Sequence, residues 1–126
     1  MEKYNIEVKT NITVTQEDID DIMCTALEGG ITYWCRKAKV IGEYLGEYGH
    51  EQIARGGTLE LYDAEEEKDY LLTRDKLLKG IKLAYEQNYY LSYGWCDGHS
   101  LDTCQVDASV ADVIVQFALF DDVVYG

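Results

Sequence analysis

The chain has 126 residues, 47% of them apolar, and a formal net charge of −13 from 24 acids against 11 bases. That length suits one compact domain over residues 1–126, and the apolar content, with 11 tyrosines, excludes a disordered polyelectrolyte. So acidic a surface argues against direct binding to duplex nucleic acid or to anionic lipid, because phosphates reward Lys and Arg and repel carboxylates.

From Tyr4 to Val14 the apolar residues Tyr4, Ile6, Val8, Ile12 and Val14 occupy even positions, a period of two that predicts one long strand or two short ones with a single buried face. Thr15 follows as an N-cap, with Asp18 three residues on as the short partner of a capping box. Ile19, Ile22, Met23, Ala26 and Leu27 then form a helical stripe that Gly29 and Gly30 end. Glu17 and Asp18 complement the dipole of this helix, whereas Asp20 and Asp21 lie beyond its reach and have no local purpose.

Residues 31–57 are less decided. Ile31, Tyr33 and Cys35 alternate as in a strand, while Val40, Ile41, Tyr44, Leu45 and Tyr48 have helical spacing and predict a helix interrupted by glycines. Thr58–Tyr62 and Tyr70–Thr73 flank the polar run DAEEEKD and read as a hairpin. Thr73 caps a second helix with Leu77, Leu78, Ile81, Ala84 and Tyr85 inward and a basic face of Arg74, Lys76, Lys79 and Lys82 outward. No cation follows Lys82.

The segment NYYLSYGWCDGHSLD is an aromatic, turn-rich loop, after which Asp107 caps a last helix. Its core positions are Val110, Val113, Ile114, Phe117 and Ala118, with Ser109, Asp112 and Gln116 as a thin polar stripe, and Val123–Tyr125 is placed to close the sheet. Strands and helices do not alternate as in a parallel sheet. The expectation is therefore an α+β fold, an antiparallel sheet of three to five strands with three to four helices mainly on one face.

Candidate chemistry is sparse. Cys96, His99 and Cys104 share a glycine-bearing loop at spacings that suit a structural zinc, with Cys35 or His50 as a fourth donor, but the paired knuckles of such sites are incomplete. The default reading has no cofactor and reduced thiols at Cys24, Cys35, Cys96 and Cys104, as in cytoplasmic chains. Neither a nucleophile with its base nor a phosphate loop stands out, so the chain reads as a binding protein without catalytic residues. No run of about 18 apolar residues could span a bilayer and the first residues lack the layout of a secretory signal, which predicts a cytoplasmic protein with no membrane partner.

Aromatics are concentrated in the two irregular segments, at Tyr33 and Trp34 and at Tyr89, Tyr90, Tyr93 and Trp95. Such side chains supply large contact area at low entropic cost and are candidates for a binding or homo-oligomer surface.

At VTQEDIDDIMCTALEGGITYWC, RGGTLELYDAEEE and VDASVADVIVQFALFDDVVYG the chain resembles a family of small acidic uncharacterised proteins carried by phages, prophages and other mobile elements of gut Firmicutes. The resemblance covers most of the chain and brings no catalytic residues. It implies a counter-defence setting, in which compact acidic proteins, anti-CRISPR proteins among them, block a host immune component by imitating nucleic acid.

Two binding functions follow as expectations. In the first, Glu17, Asp18, Asp20, Asp21, Glu65, Glu66 and Glu67, with Asp121 and Asp122 as lesser candidates, form an acidic face that occupies the basic channel of a host nuclease complex. In the second, the chain is a sponge for a nucleotide immune signal, a cyclic oligonucleotide or a cyclic ADP-ribose, held by Arg36, Lys37, Arg55 and Arg74 with an aromatic shelf. A third reading is an acidic interaction protein without inhibitory role.

Overall fold

The computed structural model describes residues 1–87 and 94–126. In chain order it contains helix α1 (Gln16–Thr25), strands β1 (Lys37–Ile41), β2 (Thr58–Asp63) and β3 (Lys68–Leu72), helix α2 (Arg74–Glu86) and helix α3 (Ala108–Phe120). The strands form one antiparallel sheet in the order β1-β2-β3, and the fold is a small α+β one.

Capping residues start all three helices as the sequence predicts. The Thr15 hydroxyl accepts from the Asp18 amide while the Asp18 carboxylate accepts from the Thr15 amide, each at 3.0 Å, and Thr73 and Asp107 accept from the amides of Lys76 and Val110. Each cap satisfies an amide that has no partner within its helix. Beyond Thr25, α1 widens into a turn with i→i+5 bonding over Ala26–Gly30.

The core joins Ile22 and Met23 of α1, Leu59, Leu61 and Leu72 of the sheet, Leu77 and Ile81 of α2, and Val110, Ile114 and Val115 of α3. Every one of these is at most 2% exposed, and a fully buried side chain of this size contributes roughly 1.5–3 kcal/mol through the water it sheds. Helix α3 is the central element. It lies so close to α2 that a Cβ on Gly80 would stand 2.3 Å from the carbonyl oxygen of Ile114. Only a residue with no side chain fits that crossing.

Three expected elements are absent. Residues 1–12 form no regular structure; Tyr4, Ile6 and Val8 are 83%, 86% and 74% exposed, and the stretch ends in a single bridge of Thr13 with Ser100. Alternation shows which residues would share a face of a strand, but a strand also needs a neighbour, and among the described residues this segment has none. The helix expected across Val40–Tyr48 is instead β1 followed by an irregular run into a short 3₁₀ turn, Gly49–Glu51. Gly42 adopts φ +79° and turns the chain out of the strand, a conformation open to glycine at no steric cost. Val123–Tyr125 does not close the sheet; it lies along α3, held by a side chain described below.

The alternation read at Ile31–Cys35 also misled. Ile31, Trp34 and Cys35 are the buried residues, at i, i+3 and i+4, because the amides of Trp34 and Cys35 both donate to the Ile31 carbonyl in a turn. Leu78, expected inward on α2, is 37% exposed. Of the polar stripe expected on α3, Ser109 is exposed but Asp112 and Gln116 are buried.

Candidate functional site

The hairpin between β2 and β3 turns through Ala64–Glu67, all exposed, with Glu67 in the left-handed region at φ +52°. Its geometry is set from below by Asp63. Along β2 the inward positions are Leu59, Leu61 and Asp63, so the carboxylate enters the sheet's covered face and the residue is only 2% exposed. One oxygen accepts the backbone amides of Glu65 at 2.9 Å and Glu66 at 3.4 Å, and the other accepts the Tyr125 hydroxyl. These donors, the Tyr125 hydroxyl foremost, hold the Asp63 carboxyl below the usual carboxylate range.

Tyr125 belongs to a cluster that ties the last residues to the body. Its ring stacks on Trp34 at 4.8 Å with 3° between planes, and Phe120 meets Trp34, Tyr70 and Tyr125 edge to face. Asp112 accepts from Trp34 Nε1 at 2.8 Å and from the Tyr33 hydroxyl at 2.6 Å, while Gln116 donates to Asp112 at 2.9 Å. The other end of the Gln116 amide accepts the backbone amides of Val124 and Tyr125, both at 2.8 Å. Burial and the Asp112 hydrogen bond push the Tyr33 hydroxyl up to about 12; burial and Asp63 push Tyr125 up as well. Sequence reading missed this network, although an acid and an amide at i and i+4 in an otherwise apolar helix are a signal for one.

The structure divides the seven acids of the expected docking face. Asp18 is spent on the capping box. Asp20 pairs with Arg55 at 3.5 Å, and Asp21 accepts the Thr103 hydroxyl at 2.7 Å, so both tie α1 to neighbouring loops and are not idle surface charge. Burial nevertheless raises the Asp20 carboxyl, with Arg55 opposing it. Among the described residues Glu17, Glu65, Glu66 and Glu67 have no ion pair, and the last three form one continuous exposed turn. Asp121 pairs with Lys79 at 2.7 Å, and Asp122 caps the amide of Val123.

The expected nucleotide ligands do not assemble as a set. Arg55 is engaged by Asp20, Glu51 and the Glu51 carbonyl, and Arg74 donates to the Ala54 carbonyl. Lys37 lines a depression of about 260 Å³ on the outer sheet face, where Lys39 and Tyr62 are accompanied by Glu60 and Asp69. Arg36 is exposed, its backbone amide bound to the Tyr62 carbonyl. Two carboxylates in so small a depression oppose a phosphate.

Of the aromatics, Trp34 and Trp95 are core residues, 4% and 0% exposed, and Tyr33 is half exposed with its hydroxyl committed to Asp112. Tyr89, Tyr90 and Tyr93 lie outside the described residues. In the Cys96–Cys104 loop the Asp97 carboxylate accepts the amides of His99 and Ser100, which lower its pKa and fold the turn. Cys96 is buried, His99 and Cys104 are exposed, and among the described residues no three His, Cys, Asp or Glu side chains are placed to hold a metal. All four cysteines are free thiols, and no helix of the described residues is long and apolar enough to cross a membrane.

No protein-family model, curated protein or solved structure matches the chain.

Proposed function

We propose that the protein is a non-enzymatic binding factor that inserts its acidic hairpin turn into a cationic groove of a partner that handles nucleic acid. The observation that carries this reading is the support of Glu65, Glu66 and Glu67: three uncompensated carboxylates on a turn whose backbone is pinned by the buried carboxylate of Asp63. A pinned turn loses little conformational freedom on docking, and its charge steers it toward a groove evolved for phosphates. The phage counter-defence setting that the sequence resemblance implies supplies such partners, the nucleic-acid-targeting immune complexes of bacteria. Glu17 and the α1 acids are secondary in this reading, since Asp18, Asp20 and Asp21 already serve the fold.

The test uses the triple variant Glu65→Gln, Glu66→Gln, Glu67→Gln as bait beside the unaltered chain, with bacterial lysate at low and at moderate salt. The unaltered chain retains a nucleic-acid-binding protein at low salt, releases it when salt rises or when duplex nucleic acid is added, and the triple variant fails to retain it while melting at the same temperature. Retention that ignores salt, or a triple variant that captures the same partner equally well, would refute the reading.

A further inference from the structure

The first residues and the exposed edge of the sheet are each incomplete, and their incompleteness matches. Along the arm, Tyr4, Ile6 and Val8 point to one side of an extended chain, with Asn5, Glu7 and Lys9 opposite. The three apolar side chains are almost wholly in water, and the described contacts that hold the arm's root are the Thr10 hydroxyl on the Gly98 carbonyl and the Thr13 amide on the His99 carbonyl. Strand β1 is an edge of the sheet. Its Ala38 and Val40 lie in register with Leu61 and Leu59, which are 0% and 1% exposed, yet Ala38 is exposed and Val40 only half buried. The helices therefore cover the apolar side of the sheet over β2 and leave it open at β1. On the opposite side of β1 stand Lys37 and Lys39.

We infer that the arm of one copy adds as a fourth strand to β1 of a second copy, closing a symmetric dimer by exchange of arms. An unpaired edge offers a row of backbone donors and acceptors to an extended segment. With the arm parallel to β1, Ile6 beside Ala38 and Val8 beside Val40, period-two geometry puts Glu7 on the other face beside Lys39 and leaves Lys9 beyond it at Ile41, so the apolar pattern and the Glu7 charge are satisfied in one register. The occupant is a second copy because, among the described residues, Tyr4 and Ile6 stay uncovered and Val8 only lines an open cleft against α2, and the matching edge is carried by the chain itself. Two identical arm-to-edge contacts related by a twofold axis close the assembly without leaving β1 free.

Sedimentation across a concentration series tests this, with the described α+β body monitored by its melting transition. The full chain sediments as a dimer, and a variant lacking residues 1–9 as a monomer that melts at the temperature of a fully diluted full chain. Ile6→Asp weakens dimerisation about tenfold or more, the equivalent of one buried apolar side chain. Glu7→Lys, or Lys37→Glu with Lys39→Glu, weakens it several-fold, and combining the three substitutions restores it. In a Cys104→Ser background, Glu7→Cys chains mixed with Lys39→Cys chains form a disulfide between chains. A full chain that remains monomeric, a dimer that persists without residues 1–9, a charge exchange that does not restore association, or a Glu7→Cys, Lys39→Cys double variant that links only within itself would each overturn the inference.

Discussion

Asp63 and Tyr125 stand 62 positions apart in sequence, yet the Tyr125 hydroxyl donates to one oxygen of the Asp63 carboxylate while the other oxygen holds the amides of Glu65 and Glu66. The last residues of the chain thereby fix the shape of the exposed hairpin turn. Tyr70 of β3, whose hydroxyl lies 3.5 Å from that of Tyr125, joins this set.

Tyr125→Phe is expected to keep the stack on Trp34 and lose only the hydroxyl, which isolates the link between tail and turn. The melting temperature falls by a few degrees, consistent with one hydrogen bond to a charged acceptor. Amide hydrogen exchange at Glu65 and Glu66 accelerates several-fold, while exchange in α1 does not change. Equal acceleration in α1 would mean that the substitution loosens the whole molecule and that the link is not specific.

The same pair contributes to the pH response at both ends of the scale. The folded carboxyl of Asp63 lies below its unfolded value, so its contribution is complete at neutral pH and is lost as pH falls below about 4 through the folded pKa. Tyr33, pushed up to about 12, and Tyr125, also raised, keep their protons in the folded chain when the unfolded chain has released them. Folded protein then binds more protons than unfolded, and stability declines as pH rises past about 10. Melting curves against pH check both limbs: Asp63→Asn flattens the acid limb, and Tyr33→Phe with Tyr125→Phe flattens the alkaline one.

Reversing Asp20 tests whether the α1 acids are surface charge or part of the fold. The Asp20–Arg55 pair is partly exposed, with side-chain accessibilities of 21% and 30%, and is worth about 0.5–1 kcal/mol. Asp20→Lys replaces attraction by repulsion and lowers the melting temperature measurably, whereas the triple glutamine variant at Glu65, Glu66 and Glu67 does not. An unaffected Asp20→Lys would return Asp20 to the pool of free surface carboxylates.

What the sequence disclosed is what local chemistry decides. Thr15 with Asp18, Thr73 and Asp107 cap helices through contacts three residues long, and the stripes at Ile19–Ala26 and Leu77–Ala84 bury as their spacing requires, Leu78 excepted. The hairpin was legible because two apolar runs flank an acidic turn. Pairing across distance was not legible: nothing near Tyr4–Val8 says that no strand of the described residues lies beside it, and the Asp63, Asp112, Gln116 and Tyr125 network joins residues from three separate segments. Composition marked the acids, but only the structure divides Glu65–Glu67, left without ion pairs, from Asp18, Asp20 and Asp21, which hold parts of the fold together.

Asp112 is the test of that buried network. In Asp112→Ala, Trp34 Nε1 and the Tyr33 hydroxyl lose their acceptor, and Gln116 loses the partner that orients it toward Val124 and Tyr125. A buried donor without a partner costs about 1–3 kcal/mol, read as a lower urea midpoint with little change in slope. Because Trp34 stacks on Tyr125, its fluorescence reports the tail directly, and detachment precedes global unfolding if the tail is held by this side chain. Coincident fluorescence and circular-dichroism transitions would show instead that tail and body unfold as one unit.

Gly80→Ala addresses the crossing of α2 over α3, where sequence propensity and packing give opposite answers. In an isolated helix alanine is favoured over glycine by about 1 kcal/mol. Here the added methyl would sit 2.3 Å from the Ile114 carbonyl oxygen and 2.9 Å from the Ala118 amide nitrogen, both backbone atoms of a buried helix that cannot give way cheaply. Separating the helices costs on the order of 1–3 kcal/mol and outweighs the propensity gain. Chemical denaturation of Gly80→Ala is therefore expected to show net destabilisation, while alanine at the exposed Gly29, where nothing lies within 4 Å of the new carbon, changes little. A stabilised Gly80→Ala would mean that α2 and α3 stand further apart than this packing requires.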